Sequence, residues 1–144
     1  MSASELIIYV NCSELAAPLD EKRVARALSA VAEAEGVTAG EMSVTFLEAA
    51  AMAALNEAHL GRPGPTDVIA FNLAEPRAPL GDIYVCPEVA RVSAVEFGVE
   101  LEEELLRLVV HGVLHVFGYD HPEGPERVES EMFRRQEAIL ARLL

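Results

Sequence analysis

The stretch LEEELLRLVVHGVLHVFGYDH, residues 101–121, carries three of the chain's four histidines in its last eleven positions. Leu101, Leu105, Leu108, Val109, Gly112 and Val116 recur at three- and four-residue steps, the pattern of one buried helical face. The pattern predicts a central helix with His111 and His115 on one flank of the stripe, about 5–6 Å apart. Glu102, Glu103 and Glu104 stand near its start, where carboxylates complement the helix dipole. Glu104 shares the histidine flank about two turns back, roughly 10 Å from His111 by helical rise, and reads as a solvated face residue rather than a base. Gly118 suits the left-handed residue that ends a helix. A turn at Tyr119-Asp120 then returns His121 toward the first two histidines.

Imidazole is the commonest protein metal ligand. Three neutral nitrogens leave a tetrahedral zinc one open position for water, the layout of a catalytic rather than a closed structural site. Where a zinc protease of the H-E-x-x-H type has its glutamate base, this chain has Gly112. Metal-assisted hydrolysis survives that loss, because zinc lowers the pKa of its water toward about 7. Gly112 itself reads as bare helix surface that leaves room for substrate beside the metal. Zinc binding is expected to fade below about pH 6, where imidazoles of ordinary pKa protonate.

HGVLHVFGYDH (111–121), Pro65-Thr66-Asp67-Val68-Ile69-Ala70-Phe71 and Leu80-Gly81-Asp82-Ile83 together resemble the YbeY-type metal-dependent endoribonucleases of bacterial ribosomal RNA maturation. Leu55-Asn56 and Met132-Phe133 add weaker matches in the same order. The resemblance covers most of the chain. It implies a compact α+β domain, one zinc held by His111, His115 and His121, and single-stranded RNA rather than DNA as substrate. It also implies work on the small ribosomal subunit, in 16S RNA processing, ribosome quality control, or both. Two departures stand out. The family pattern Leu-Asn-x-x-Tyr-Arg-Gly places its arginine at Leu60, and the nearest cation is Arg62, a candidate to clamp phosphate from the 61–64 loop. The family's serine before phenylalanine is Ala70.

A chain of 144 residues is read as one domain, 1–144, able to bury roughly two-thirds of its unfolded surface without staples. No run approaches the roughly 20 apolar residues needed to cross a bilayer. Met1-Ser2-Ala3-Ser4-Glu5 lacks the basic residues of a secretory signal, so the expectation is a cytoplasmic protein without membrane contact. Cys12 and Cys86 read as reduced, buried thiols. Acids outnumber bases 24 to 11, for a net charge of −13, which excludes a general RNA-coating role. Local RNA binding stays open, since zinc adds positive charge and ten of the eleven basic residues are arginine, among them Arg62, Arg77 and Arg91. An acidic body also suits a basic partner such as a ribosomal protein of the small subunit.

Elsewhere Leu6–Asn11 reads as a short strand. Asp20 caps a helix with stripe Val24, Ala27, Leu28 and Val31 that ends at Gly36. Met42–Leu47 alternates as a strand, residues 49–59 form an alanine-rich helix, and Gly61-Arg62-Pro63-Gly64-Pro65 is a loop. Val68–Phe71 and Ile83–Cys86 read as two inner strands, and Pro87 starts a helix toward Phe97. Val128, Met132, Phe133, Gln136, Ile139, Leu140 and Leu143 make a closing amphipathic helix. Four strands and about five helices predict an α+β fold, helices packed on a small mixed sheet with the metal site at the end of a central helix. His59 reads as a cation at a helix C-terminus. Asp67 and Asp82 read either as acceptors for ligand imidazoles or as strand-edge caps, and Asp120 as a proton-handling carboxylate or a turn residue. Three functions remain: a zinc endoribonuclease, a metal-dependent hydrolase of another substrate, and a non-enzymatic ribosome-assembly factor with a structural zinc.

Overall fold

A computed structural model describes residues 6–11, 19–74, 79–121 and 124–144. Cys12 and Arg77, singled out above, lie outside the described residues. The elements run β1 (Leu6–Asn11), α1 (Glu21–Glu35), β2 (Gly40–Phe46), α2 (Ala49–Leu60), β3 (Val68–Asn72), β4 (Leu80–Val85), α3 (Pro87–Phe97), α4 (Leu101–Val116), a short 3-10 helix (Pro125–Glu129) and α5 (Glu131–Ala141). The sheet order is β1-β2-β4-β3, with β1, β2 and β4 parallel and β3 antiparallel to β4. This is the expected α+β fold with a mixed four-stranded sheet.

Local chemistry accounts for the elements. Asp20 caps α1 by accepting the Lys22 N–H at 2.8 Å, and Val24, Ala27, Leu28 and Val31 are buried as their spacing predicts. Strand alternation assigns the two faces of the sheet. Met42, Val44 and Phe46 of β2 share one face with Gly81, Ile83 and Val85 of β4, and join α1, α4 and α5 in the larger core. Ser43, Asp82 and Tyr84 take the opposite face, where Met52 of α2, Ile69 and Cys86 form a smaller cluster.

α4 lies against β4 through two reciprocal close approaches. A Cβ on Gly112 would sit 2.7 Å from Ile83 Cγ2, and one on Gly81 would sit 2.5 Å from Val116 Cγ1. The bareness of Gly112 is therefore spent on the sheet: the residue is buried against β4 and leaves no room for substrate. Other assignments also differ from expectation. β4 starts at Leu80 and stops at Val85, because Cys86 already caps α3. β3, expected as an inner strand, ends the sheet among the described residues, where its one partner is β4. Val128 sits exposed on the 3-10 helix and outside α5, because Ser130 starts a fresh helix by accepting the Phe133 N–H at 3.1 Å.

Candidate metal centre

α4 delivers His111 and His115 one turn apart, and the chain then reverses to deliver His121. Gly118 adopts φ 102° immediately after the helix, and the Tyr119 N–H reaches back to the Leu114 carbonyl at 3.0 Å, closing the C-terminus. Tyr119 clamps the turn from both sides. Its hydroxyl donates to Glu35 of α1 at 2.6 Å, and the Arg135 guanidinium of α5 lies 5.5 Å from its ring centroid. Burial and the Glu35 carboxylate push the phenol up to about 12, so it remains a donor. The result is three imidazoles with centroids 4.6–5.0 Å apart and one ligand nitrogen from each within 4.8 Å of the others. These three residues are positioned to bind a metal ion.

The hydrogen bonds test whether the donor set fits a cation. His111 Nδ1 lies 2.6 Å from Gln136 Oε1, and His115 Nδ1 lies 3.0 Å from the Tyr119 carbonyl oxygen. Both partners only accept, so both Nδ1 atoms carry the proton and both Nε2 atoms present lone pairs. Those Nε2 atoms stand 3.1 Å apart. Two lone pairs at that distance repel unless a positive centre lies between them. At neutral pH that centre is not a proton, because burial above all lowers His111 to about 4 and lowers His115 as well. A shared metal ion satisfies the arrangement, and neutral imidazoles are the form that metal ligation requires. The same burial weakens proton competition at His111, whose folded value is about 4, and at His115.

A cavity of about 480 Å³ opens beside the triad, lined among others by His111, His121, Phe97, Glu104, Arg107 and Arg127. Glu104, expected to be solvated, is 5% exposed, because Arg107 and the packing of α5 cover it. Arg107 binds Glu103 at 3.0 Å, Glu104 at 2.9 Å and Glu137 of α5 at 2.9 Å. Desolvation still raises the Glu104 carboxyl, while Arg107 opposes that rise.

Asp67 and Asp120 make the capping contacts of their second readings, whereas Asp82 sits inside β4 rather than at its edge. Asp82 lies on the sheet face opposite α4 and accepts the Ser43 hydroxyl at 2.7 Å. Asp67 lines the cavity but accepts the Val68 N–H at 2.7 Å, at the edge of β3. Asp120 accepts the His121 N–H at 2.9 Å, a turn contact. His59 occupies the last turn of α2, with its ring edge-on to Phe71 at 5.4 Å. Arg62 is exposed just past the α2 cap at Gly61, in a loop that Asn56 Nδ2 fixes through the Gly64 carbonyl at 2.9 Å. It is not among the cavity-lining residues, whereas Arg127 is. Arg91 is exposed on α3.

Sequence reasoning did not foresee Gln136 as the acceptor for His111. Its trace was a buried amide inside an otherwise apolar stripe, 25 residues from its partner.

Comparison with known proteins agrees with this geometry. A structural relative is TM1509 from Thermotoga maritima, whose solution structure superposes with a TM-score of 0.67 at 29% identity, covering 95% of this chain and 89% of that one. Sequence relatives described as endoribonuclease YbeY include those of Micrococcus luteus, 43% identical over 72% of this chain and 71% of that protein. That of Thermobifida fusca is 38% identical over 90% of this chain and 89% of the relative. That of Mycolicibacterium smegmatis is 46% identical over 71% of this chain and 63% of its own length. The family model described as Endoribonuclease YbeY matches residues 11–144. With that match running through the helix, the turn and all three histidines, the chain belongs to the endoribonuclease YbeY family.

Proposed function

We propose that this chain is a zinc-dependent endoribonuclease that cuts single-stranded RNA, acting in the cytoplasm on precursor 16S rRNA during small-subunit maturation and quality control. The observation that carries the reading is the pair of facing Nε2 lone pairs in a three-histidine cluster at the wall of a cavity. Family membership narrows the substrate to RNA. One zinc per chain would be held by His111, His115 and His121, supplying Lewis acidity and a water acidified into the neutral range.

The chain's own groups bind and orient. Arg62 on the α2 loop and Arg127 in the cavity wall are the guanidinium groups assigned to backbone phosphates. Phe97, 70% exposed at the cavity, offers a ring on which an unpaired base stacks. A net charge of −13 keeps such binding local and favours basic proteins of the small subunit as partners. No helix among the described residues is long and apolar enough to cross a membrane.

The test sets single-stranded RNA, single-stranded DNA, duplex RNA and a casein-type peptide against the zinc-loaded protein, with and without chelator. Cleavage of single-stranded RNA alone, abolished by chelator and restored by zinc, is expected. RNA left intact by fully loaded protein would instead point to an assembly factor with a structural zinc, and peptide hydrolysis to another hydrolase.

A further inference from the structure

Gln136 lies between two groups with opposite claims on it. Its Oε1 faces His111 Nδ1 at 2.6 Å, and its Nε2 donates to Glu137 Oε2 at 3.0 Å. Glu137 is in turn gripped by Arg107, through Nε to Oε2 at 2.9 Å and Nη2 to Oε1 at 3.2 Å. A glutamine amide is nearly symmetric in shape, and turning it by half a revolution exchanges a donor for an acceptor. With Oε1 toward His111, the ring must carry its proton on Nδ1 and keep Nε2 bare. With the NH₂ toward His111, Nδ1 must accept, the proton moves to Nε2, and that nitrogen can no longer ligate a metal.

We propose that Glu137, fixed by Arg107, locks the Gln136 amide in the orientation that keeps His111 in its metal-binding tautomer. Glu137 can only accept, so it takes the NH₂ end and leaves the oxygen for His111. A turned amide would set its oxygen about 3 Å from a carboxylate oxygen and its NH₂ against Nδ1–H, losing two hydrogen bonds in a side chain that is 4% exposed and has little water to replace them. Glu137 and Arg107 are thus positioning residues. They act on the metal site through a neutral amide, whose NH₂ end Glu137 holds. The inference rests on the three histidines forming a metal centre, but the tautomer it concerns exists in the metal-free protein as well.

The test reads the His111 tautomer in metal-free, ¹⁵N-labelled protein by long-range ¹H–¹⁵N correlation, and the zinc Kd by competition with a chromophoric chelator. Wild type is expected as Nδ1–H. Glu137→Ala should give a mixture of tautomers and weaken zinc about 10–100-fold, the range for lost support of a ligand. Glu137→Gln, which keeps the shape and can present either end to Gln136, should give a smaller shift in the same direction and serves if the alanine variant does not fold. Gln136→Glu placed in the Glu137→Ala background has no donor end to misplace, and should restore both Nδ1–H and zinc affinity. Unchanged tautomer and Kd in both Glu137 variants overturn the lock. So does zinc loss that Gln136→Glu fails to rescue, since that marks a merely structural role. Failure of wild type to bind zinc while the tautomer shifts as expected would strike the metal reading and leave the lock standing.

Discussion

On the α4 face of the sheet, Gly81 and Gly112 let helix and strand meet closer than any side chain would permit, and 25 buried residues among those described make one continuous core. On the α2 face, the buried cluster is Met52, Ile69 and Cys86, and beyond it runs the exposed loop 61–65. The contrast tracks function. His111 and His115 stand on the tightly interlocked helix, where packing fixes their rings to the accuracy that a shared ion demands. The departure at Leu60 and its neighbour Arg62 lies at the thin side, where an exposed residue can change without cost to the fold. Ala70, the other departure, packs against the larger core, where a hydroxyl would want a partner.

The strongest challenge to this contrast is Gly112→Glu. A carboxylate there would overlap Ile83 and bury a charge, so a loss of about 4 kcal/mol or more and disappearance of bound metal are expected in thermal melts and elemental analysis. Wild-type melting with metal retained would mean that Gly112 faces open space. Next in size is Arg107→Ala, which strips the partner from the buried Glu104 and should cost about 3 kcal/mol.

Acidification of the metal-free protein sharpens the same point. His111 is depressed to about 4 when folded, against 6.5 for an unconstrained histidine. Below pH 6.5 the unfolded chain therefore takes up a proton that the native chain refuses, and stability falls until the native group titrates near pH 4. The loss from this one group is about 3–4 kcal/mol at most, by the ~1.4 kcal/mol per unit rule. Denaturant midpoints followed from pH 7 to 4 should show it, and His111→Asn should flatten the curve relative to wild type. A parallel decline in both would place the acid sensitivity elsewhere.

The smallest effect on stability belongs to the thin side. Arg62→Ala and Leu60→Arg should each shift stability by less than about 0.5 kcal/mol and leave zinc unchanged. If Arg62 clamps the phosphate, Arg62→Ala cuts RNA cleavage about 10²-fold, and Leu60→Arg restores it in that background. Equal cleavage by wild type and Arg62→Ala, with Arg127→Ala impaired, would move the phosphate contact to the cavity wall.

Much of this was legible in residues 101–121, because helical period, a terminating glycine and histidine spacing are local properties of the chain. The same holds for Asp20 and the α1 stripe. What the sequence withheld depends on contacts across it. Gly112 looks equally bare whether it faces solvent or β4, and Ile83 decides the matter from 29 positions away. Glu104 follows the polar flank of α4, yet Arg107 and α5 bury it. A strand that starts at Leu80 rather than Ile83 brings Gly81 onto the α4 face, a contact that the boundary inferred from sequence did not contain. Gln136 was visible as a member of the α5 stripe, but a bond to an imidazole on another helix leaves no periodicity behind.

The most direct measurement is zinc content by elemental analysis after zinc loading and dialysis, comparing wild type with the His111→Ala/His115→Ala/His121→Ala variant. One zinc per chain in wild type and none in the variant is the expected result. Stoichiometric zinc in the triple variant would contradict the assignment of these three histidines as the metal ligands.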